Sequence, residues 1–228
     1  MTVVFSEQLA KSALFEQCTS GELEELARRF RPRRYRKDRV IFGEGDPGAD
    51  LFLVAAGRVS VGVNSSDGRF LALHVFGPGD VFGELALLDG GARSADAIAQ
   101  EPCELMLLSR ADFLRFLEGR PKVAIRLLRT LSLYIRRTNQ RAAEIAFLPV
   151  PARLAQILLE LAASRDSSPE SRDLRTVHVT QVELAAWIGA TRETVNRWLS
   201  FFEDQGLIRR QRGQVTIVRS EGLRDQVN

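Results

Sequence analysis

The sequence predicts an α+β chain built from a small antiparallel barrel or roll, one long helix, and a compact helical unit closed by a strand. Three observations predict it. From Val40 to about Leu108, short apolar runs end at glycine-rich turns at intervals of about ten residues. From Lys122 to about Phe147 there is neither Gly nor Pro, and the apolar spacing is helical. Beyond Pro149 and Pro151 the spacing stays helical until Gly213 opens a final strand.

The elements follow in order. Ser20 is the expected N-cap of a helix that buries Leu23, Leu26, Ala27 and Phe30. Pro32 stops that helix. The basic run Arg31 to Lys37 has the composition of a nucleic-acid patch but is read as a solvated loop and strand face. Val40–Phe42, Leu51–Val54, Val59–Val63 and Leu71–Phe76 are strands, stopped by Gly43 to Gly48, Gly57, Asn64 to Gly68 and Gly77 to Asp80. Asp112 to Leu117 is a short helix closed by Gly119 and Pro121. In the long helix, Leu127, Leu131, Tyr134, Thr138, Arg141 and Ile145 fall on alternating four- and three-residue steps, the seam of a two-stranded coiled coil. Thr138 and Arg141 are polar where such a seam is apolar, so a partner helix or a ligand must satisfy them. The prolines at 149 and 151 mark a domain boundary. They divide the chain into 1–120, 121–148 and 149–228, with a helix from Arg153 to Ala163 and a polar loop over 164–175.

Composition narrows the function classes. Hydrophobic residues at 45% and charged residues at 27% describe a globular chain, and a formal charge of +3 neither demands nor excludes nucleic acid. Cys18 and Cys103 cannot build a disulfide framework or a four-thiolate metal site. The start of the chain lacks a secretory pattern, and no apolar run approaches the ~20 residues of a membrane span. A cytoplasmic protein without a membrane role is expected.

The strongest signal in the first half is Phe82-Gly83-Glu84-Leu85-Ala86-Leu87, followed by Arg93-Ser94-Ala95. Gly83 and Glu84 open a short apolar helix, whose free N–H groups favour an anion. Arg93 can return to the same spot with a bidentate donor fork, and Ser94 adds a hydroxyl. Glu84 suits a sugar hydroxyl instead. As separate residues, Glu84 and Arg93 are better read as an internal ion pair inside a barrel. As a unit at this spacing, they resemble the phosphate-binding cassette of cyclic-nucleotide-binding domains. The upstream glycines, Gly45-Asp46, Gly57 and Gly77-Pro78-Gly79-Asp80, are similar too. The resemblance implies a β-roll of jelly-roll type, with Gly83, Glu84, Leu85, Arg93 and Ser94 holding cyclic AMP. It also implies that Thr138 from one subunit and Asn139 from the other reach the base, by register with Ala146-Phe147-Leu148. The family's best-known bacterial member has Ser at that second position.

Near the C-terminus, Thr180 caps a helix with Glu183 as the capping-box acid, and Gly189 ends it. A short turn leads to Thr191-Arg192-Glu193-Thr194-Val195-Asn196-Arg197-Trp198-Leu199. Leu184, Ala185, Ile188, Val195, Leu199 and Phe202 are placed to bury two helices against a third, which is helix-turn-helix spacing. Arg192, Glu193, Asn196 and Arg197 share the polar face, where Arg suits guanine and Glu suits the cytosine amino group. Thr-Arg-Glu-Thr-Val-Asn-Arg is similar to the recognition helix of the catabolite activator protein family. Glu203-Asp204-Gln205-Gly206-Leu207-Ile208 resembles its lead into the wing. The resemblance implies a winged helix-turn-helix, with Arg192, Glu193 and Arg197 as base readers on a TGTGA-like inverted repeat. Thr180 and Thr191 are candidate phosphate contacts.

An iron–sulfur sensor of this superfamily needs clustered N-terminal cysteines, and only Cys18 is there. A haem sensor wants a His or Cys ligand, whereas His74 stands alone in a strand. A cyclic-di-GMP-responsive or ligand-independent member is expected to lose part of the Glu84, Arg93 and Ser94 set. No nucleophile elbow, Walker loop or metal cluster is present, so no enzyme and no metal are expected. The implied protein is a homodimeric transcription regulator that binds cyclic AMP, palindromic double-stranded DNA and RNA polymerase.

Overall fold

The computed structural model describes residues 9–10, 12–16, 18–163 and 175–227. Its contacts divide the chain into two units. One comprises Met1–Val63 and Leu73–Arg137, the other Asn64–Ala72 and Thr138–Asn228.

In the first unit, β1 (Arg31–Tyr35), β8 (Cys103–Ser109), β3 (Asp50–Ala56) and β6 (Val81–Phe82) lie side by side in that order. A second four-stranded sheet runs β2 (Val40–Phe42), β7 (Asp96–Ala99), β4 (Val59–Asn64), β5 (Phe70–Phe76). Every strand pair with a defined register is antiparallel. The apolar run of β3 is continuous because both of its faces are covered. Leu51 and Leu53 join Met106 and Leu108 of β8 in a core under the helices, with Phe15, Leu26, Phe113 and Phe116. Phe52 and Val54 join Leu105 and Leu107 inside the barrel, with Phe76 and Phe82. The period-two alternation of a strand thus feeds two cores. The basic run is strand β1, paired among the described residues with β8 only, and its residues through Arg34 are exposed. Pro32 is tolerated on such an edge.

Helix ends shift by small amounts for local reasons. Helix α1 (Ser20–Ala27) is capped by Thr19 rather than Ser20. Only Thr19 puts Glu22 at the third helical position, where both halves of a capping box close. Phe30 lies past that helix yet is buried. Ser109 caps α3 (Arg110–Glu118) and extends the expected 112–117 helix at both ends. The long helix α4 (Pro121–Phe147) opens on Pro121, whose missing N–H costs nothing in a first turn. The next helix, α5 (Val150–Ala163), likewise begins before Arg153 and holds Pro151 in its first turn.

The face of α4 turns out differently from the expected seam. Leu127 is 5% exposed and lies in the core under the helices, with Leu131 packed against it. Tyr134 packs on the barrel core, its ring centroid 5.6 Å from Phe76 and 5.0 Å from His74. These three residues are therefore spent within their own chain. The apolar residues of α4 left exposed are Leu128 and Ile135, at 62% and 61%, together with Ile125, Leu133, Phe147 and Ile145, the last residue of the expected seam. Sequence periodicity finds a stripe but cannot say which of two adjacent stripes the barrel covers.

In the second unit α5, α6 (Gln181–Ile188) and α7 (Arg192–Asp204) pack together. A three-stranded antiparallel sheet stands beside them, ordered β10 (Ile208–Gln211), β11 (Gln214–Ile217), β9 (Arg175–His178). Leu184, Ala185, Ile188, Val195, Leu199 and Phe202 are all buried. Strand β9 and the short α8 (Ser220–Arg224) have no counterpart among the expected elements. Residues 164–174 of the expected polar loop, and the chain start, lie outside the described residues.

Candidate ligand site and nucleic-acid interface

The first site is built around Arg93. Its backbone is strapped to the 43–48 loop, with Arg93 N–H donating to Asp46 O and Gly45 N–H donating to Arg93 O, both at 2.9 Å. The residue is 6% exposed. Nη1 donates to Gly83 O and Nη2 to Asp50 O, each at 2.7 Å. The guanidinium lies 4.2 Å from the Phe42 ring centroid and 5.5 Å from that of Phe52, a cation–π cradle. Nε is buried without a hydrogen-bond partner. Desolvation lowers the Arg93 pKa, opposed by Asp50, Glu84 and Asp46. An arginine nevertheless stays charged in this setting.

Gly83 makes the close approach possible. Its φ of +82° is a left-handed conformation, and a Cβ there would lie 2.8 Å from Arg93 Nη1 and 3.2 Å from the Phe52 ring. Glu84 occupies the N-cap position of α2 (Leu85–Asp89) without a side-chain capping bond, and it too is 6% exposed. Burial pushes its carboxyl above the ordinary carboxylate value, against the pull of a backbone hydrogen bond and of Arg93. Helix α2 has five residues, so its dipole is small and Arg93 must supply most of any anion affinity. The geometry brings Gly83 and Arg93 together as the spacing anticipates, while both terminal guanidinium nitrogens go to backbone carbonyls rather than to Glu84. Leu85 and Ser94 flank this cradle and are exposed. An anionic, hydroxyl-bearing ligand fits these groups, because it would satisfy the orphaned Nε and the buried carboxylate together.

Thr138 and Asn139 lie on α4, successive residues and so about 100° apart around the helix. Thr138 shares the helical row of Leu127, Leu131 and Tyr134, and Asn139 shares the row of Leu128 and Ile135. Asn139 is exposed and Thr138 half-buried.

The second site is the face of α7. Thr180 closes a full capping box with Glu183, and Gly189 ends α6 at φ +64°. Thr191 caps α7, its hydroxyl accepting from Thr194 N–H at 3.2 Å and donating to Thr194 Oγ1 at 3.0 Å. Both candidate phosphate-contacting threonines thus have hydroxyls engaged at helix caps. Arg192, Glu193, Asn196 and Arg197 are exposed on one face. A cleft of about 420 Å³ beside it is lined by Thr180, Gln181, Arg192, Arg210 and Arg212. Arg210 Nε donates to Glu203 Oε2 and its backbone N–H to Glu203 Oε1, both at 2.8 Å. These bonds, the backbone one foremost, hold the Glu203 carboxyl below its ordinary value.

Sequence reasoning missed several contributors. The cradle walls Phe42, Phe52 and Asp50 O are remote in sequence and carry no local signal. Arg210 and Arg212 were visible as a basic cluster before the last strand, and Gln181 follows the cap directly.

A β-roll with a buried arginine cradle, in one chain with a winged helix-turn-helix, is the make-up of a transcription regulator that carries a nucleotide-binding domain and a DNA-binding one. Residues 32–120 match the cyclic nucleotide-binding domain family, and residues 152–226 match the Crp-like helix-turn-helix domain family. The chain belongs to the CRP/FNR family of transcription regulators. It is similar to the CRP-like cAMP-activated global transcriptional regulator of Mycobacterium tuberculosis, 35% identical over 95% of this chain and 97% of that protein. The cyclic AMP receptor protein of Thermus thermophilus is 34% identical over 95% and 96%. Among solved structures, the c-di-GMP responsive global regulator CLP of Xanthomonas campestris superposes with a TM-score of 0.79. It is 26% identical, over 88% of this chain and 99% of that one.

Proposed function

We propose that the chain is a cytoplasmic, homodimeric regulator that binds cyclic AMP and then reads a TGTGA-like inverted repeat in double-stranded DNA. Its working parts are a sensor over 1–120, a dimerisation helix over 121–148 and a DNA-binding domain over 149–228. The observation that carries the reading is the buried Arg93, with its unpartnered Nε, beside the buried Glu84. Arg93 and Ser94 take the cyclic phosphate, Glu84 takes the ribose hydroxyl, and Gly83 and Leu85 shape the floor. Thr138 contacts the adenine of its own subunit and Asn139 that of the partner, which their positions on adjacent helical rows favour. The exposed row of Ile125, Leu128 and Ile135, continued by Asn139, is spaced by three, seven and four residues, a heptad-compatible stripe, and serves as the interface with a second copy.

Arg192, Glu193 and Arg197 read bases in the major groove, with Asn196 beside them, while Thr180 and Thr191 sit against phosphates. Ligand held by both long helices favours one arrangement of the pair, a population shift that aims the two recognition helices at successive grooves. That docking geometry is the one established for the catabolite activator protein of this same family, and it is carried over to this chain. RNA polymerase is the expected partner of the bound dimer.

A second reading keeps the fold and changes the ligand to cyclic-di-GMP, favoured by the likeness to the Xanthomonas regulator. The test is fluorescence anisotropy of a labelled duplex bearing the inverted repeat, at fixed salt, with cyclic AMP, cyclic GMP, cyclic-di-GMP or no nucleotide. Tightening by cyclic AMP alone supports the proposal. Binding indifferent to cyclic AMP, or strengthened by another nucleotide, removes it.

A further inference from the structure

The orientation of two amide side chains at the DNA-reading face is fixed by arginine chemistry. A guanidinium donates and never accepts. The atom of Asn196 that lies 3.2 Å from Arg210 Nη1 is therefore its oxygen, Oδ1. The atom of Gln181 that lies 3.4 Å from Arg192 Nε is likewise Oε1. The other end of Gln181 is then the amide nitrogen, and it donates to the same Asn196 Oδ1 at 3.0 Å. One carbonyl oxygen has two lone pairs, and two donors fill them. Arg210 is itself braced by both carboxylate oxygens of Glu203. A continuous chain of bonds, Glu203–Arg210–Asn196–Gln181–Arg192, links β10, α6 and α7.

An Asn reads adenine by accepting from N6 and donating to N7 at the same time. With Oδ1 filled from inside the protein, Asn196 can present only N–H to DNA. Arg192, meanwhile, has a long, freely rotating side chain whose Nε is held by Gln181, so its outer nitrogens are aimed before DNA arrives.

We propose that Gln181 and Arg210 are positioning residues of the reading surface: they fix Arg192 in its reading geometry and confine Asn196 to a donor role. The proposal rests on Arg192 being a base reader, and the test separates the two. The operator is a duplex selected by the full-length wild-type protein from a random-sequence pool. Affinities are measured at one salt concentration for that duplex, for a panel replacing each base pair of one half-site, and for a scrambled duplex.

Gln181→Ala is expected to lose about tenfold discrimination at the base pair whose readout Arg192→Ala also erases. Its affinity for the scrambled duplex, which requires a folded domain, stays within about twofold. Gln181→Glu keeps the acceptor for Arg192 and retains discrimination there. Arg210→Lys keeps the charge but loses the fork, and it relaxes discrimination at the base pair facing Asn196.

Equal weakening on every duplex, with a shallower salt slope, would make Gln181 a phosphate contact and overturn the proposal. An unchanged Gln181→Ala profile overturns it as well. If Arg192→Ala leaves the profile intact, the base-reader assignment itself fails and takes the positioning role with it.

Discussion

Position 84 holds a carboxylate in a place where burial works against its charge. The folded state binds the Glu84 proton more tightly than the unfolded chain does, because its pKa is raised above 4.5. Below that value both states are protonated and the residue contributes nothing to the pH dependence. As pH rises from 4.5 through the raised folded value, the unfolded chain ionises first and stability falls. Glu84→Gln should therefore raise the melting temperature of the nucleotide-free protein at neutral pH by a few degrees, with the gain vanishing near about pH 4. Melts followed by circular dichroism at the two pH values check this, and an equal gain at both would refute it. The same substitution should weaken cyclic AMP binding, so stability and ligand affinity move in opposite directions, as expected of a functional group. Gly83→Ala meets both a left-handed φ and the Arg93 guanidinium. A loss of roughly 1–3 kcal/mol in denaturant unfolding is expected, together with weaker nucleotide binding.

Within one element, α4 has two apolar rows with different duties. Leu127→Ala removes a side chain from the core under the helices and should cost about 2–5 kcal/mol while leaving the state of association unchanged. Ile135→Glu places a charge on the exposed row, and the proposed dimer should separate into monomers whose barrel melts as before. Sedimentation equilibrium beside thermal melts distinguishes the rows. A dimer that survives Ile135→Glu but not Leu127→Ala would return the seam to the row read from the sequence. The recognition helix carries a similar division of labour. Val195, Leu199 and Phe202 are spent on burial, while the proposed base readers Arg192 and Arg197 stay exposed.

Across the whole molecule, taken as the proposed dimer, the proposed coupling must be reciprocal. Whatever factor cyclic AMP adds to operator affinity, the operator must add to cyclic AMP affinity, because both describe one free-energy difference. Anisotropy with and without nucleotide, and calorimetry of nucleotide binding with and without operator, should return the same factor, of roughly 5–150-fold. Arg93→Ala should collapse that factor towards one while leaving nucleotide-free DNA binding in place. Operator affinity should also fall linearly in log–log plots against salt, with a slope set by the phosphates neutralised.

The order of parts is legible in the chain before it folds. Periods of two and 3.6 residues, glycine-marked turns, the Thr180–Glu183 cap and Gly189 are local signals, and local backbone physics obeys them. Gly83, Glu84 and Arg93 also fall within one segment, since ten residues suffice to turn back on themselves. The edge strand β9 is not legible in the sequence, because four residues with a polar flank look like loop until a partner strand is known. Direction and company, by contrast, were settled by packing. Folding selected which row of α4 the barrel covers, set Arg93 on Phe42, Phe52 and two backbone carbonyls, and spent the Asn196 oxygen on Gln181 and Arg210. Those choices depend on residues far apart in the chain, and the energy that selects among near-equal local options is the packing and hydrogen bonding that folding brings together.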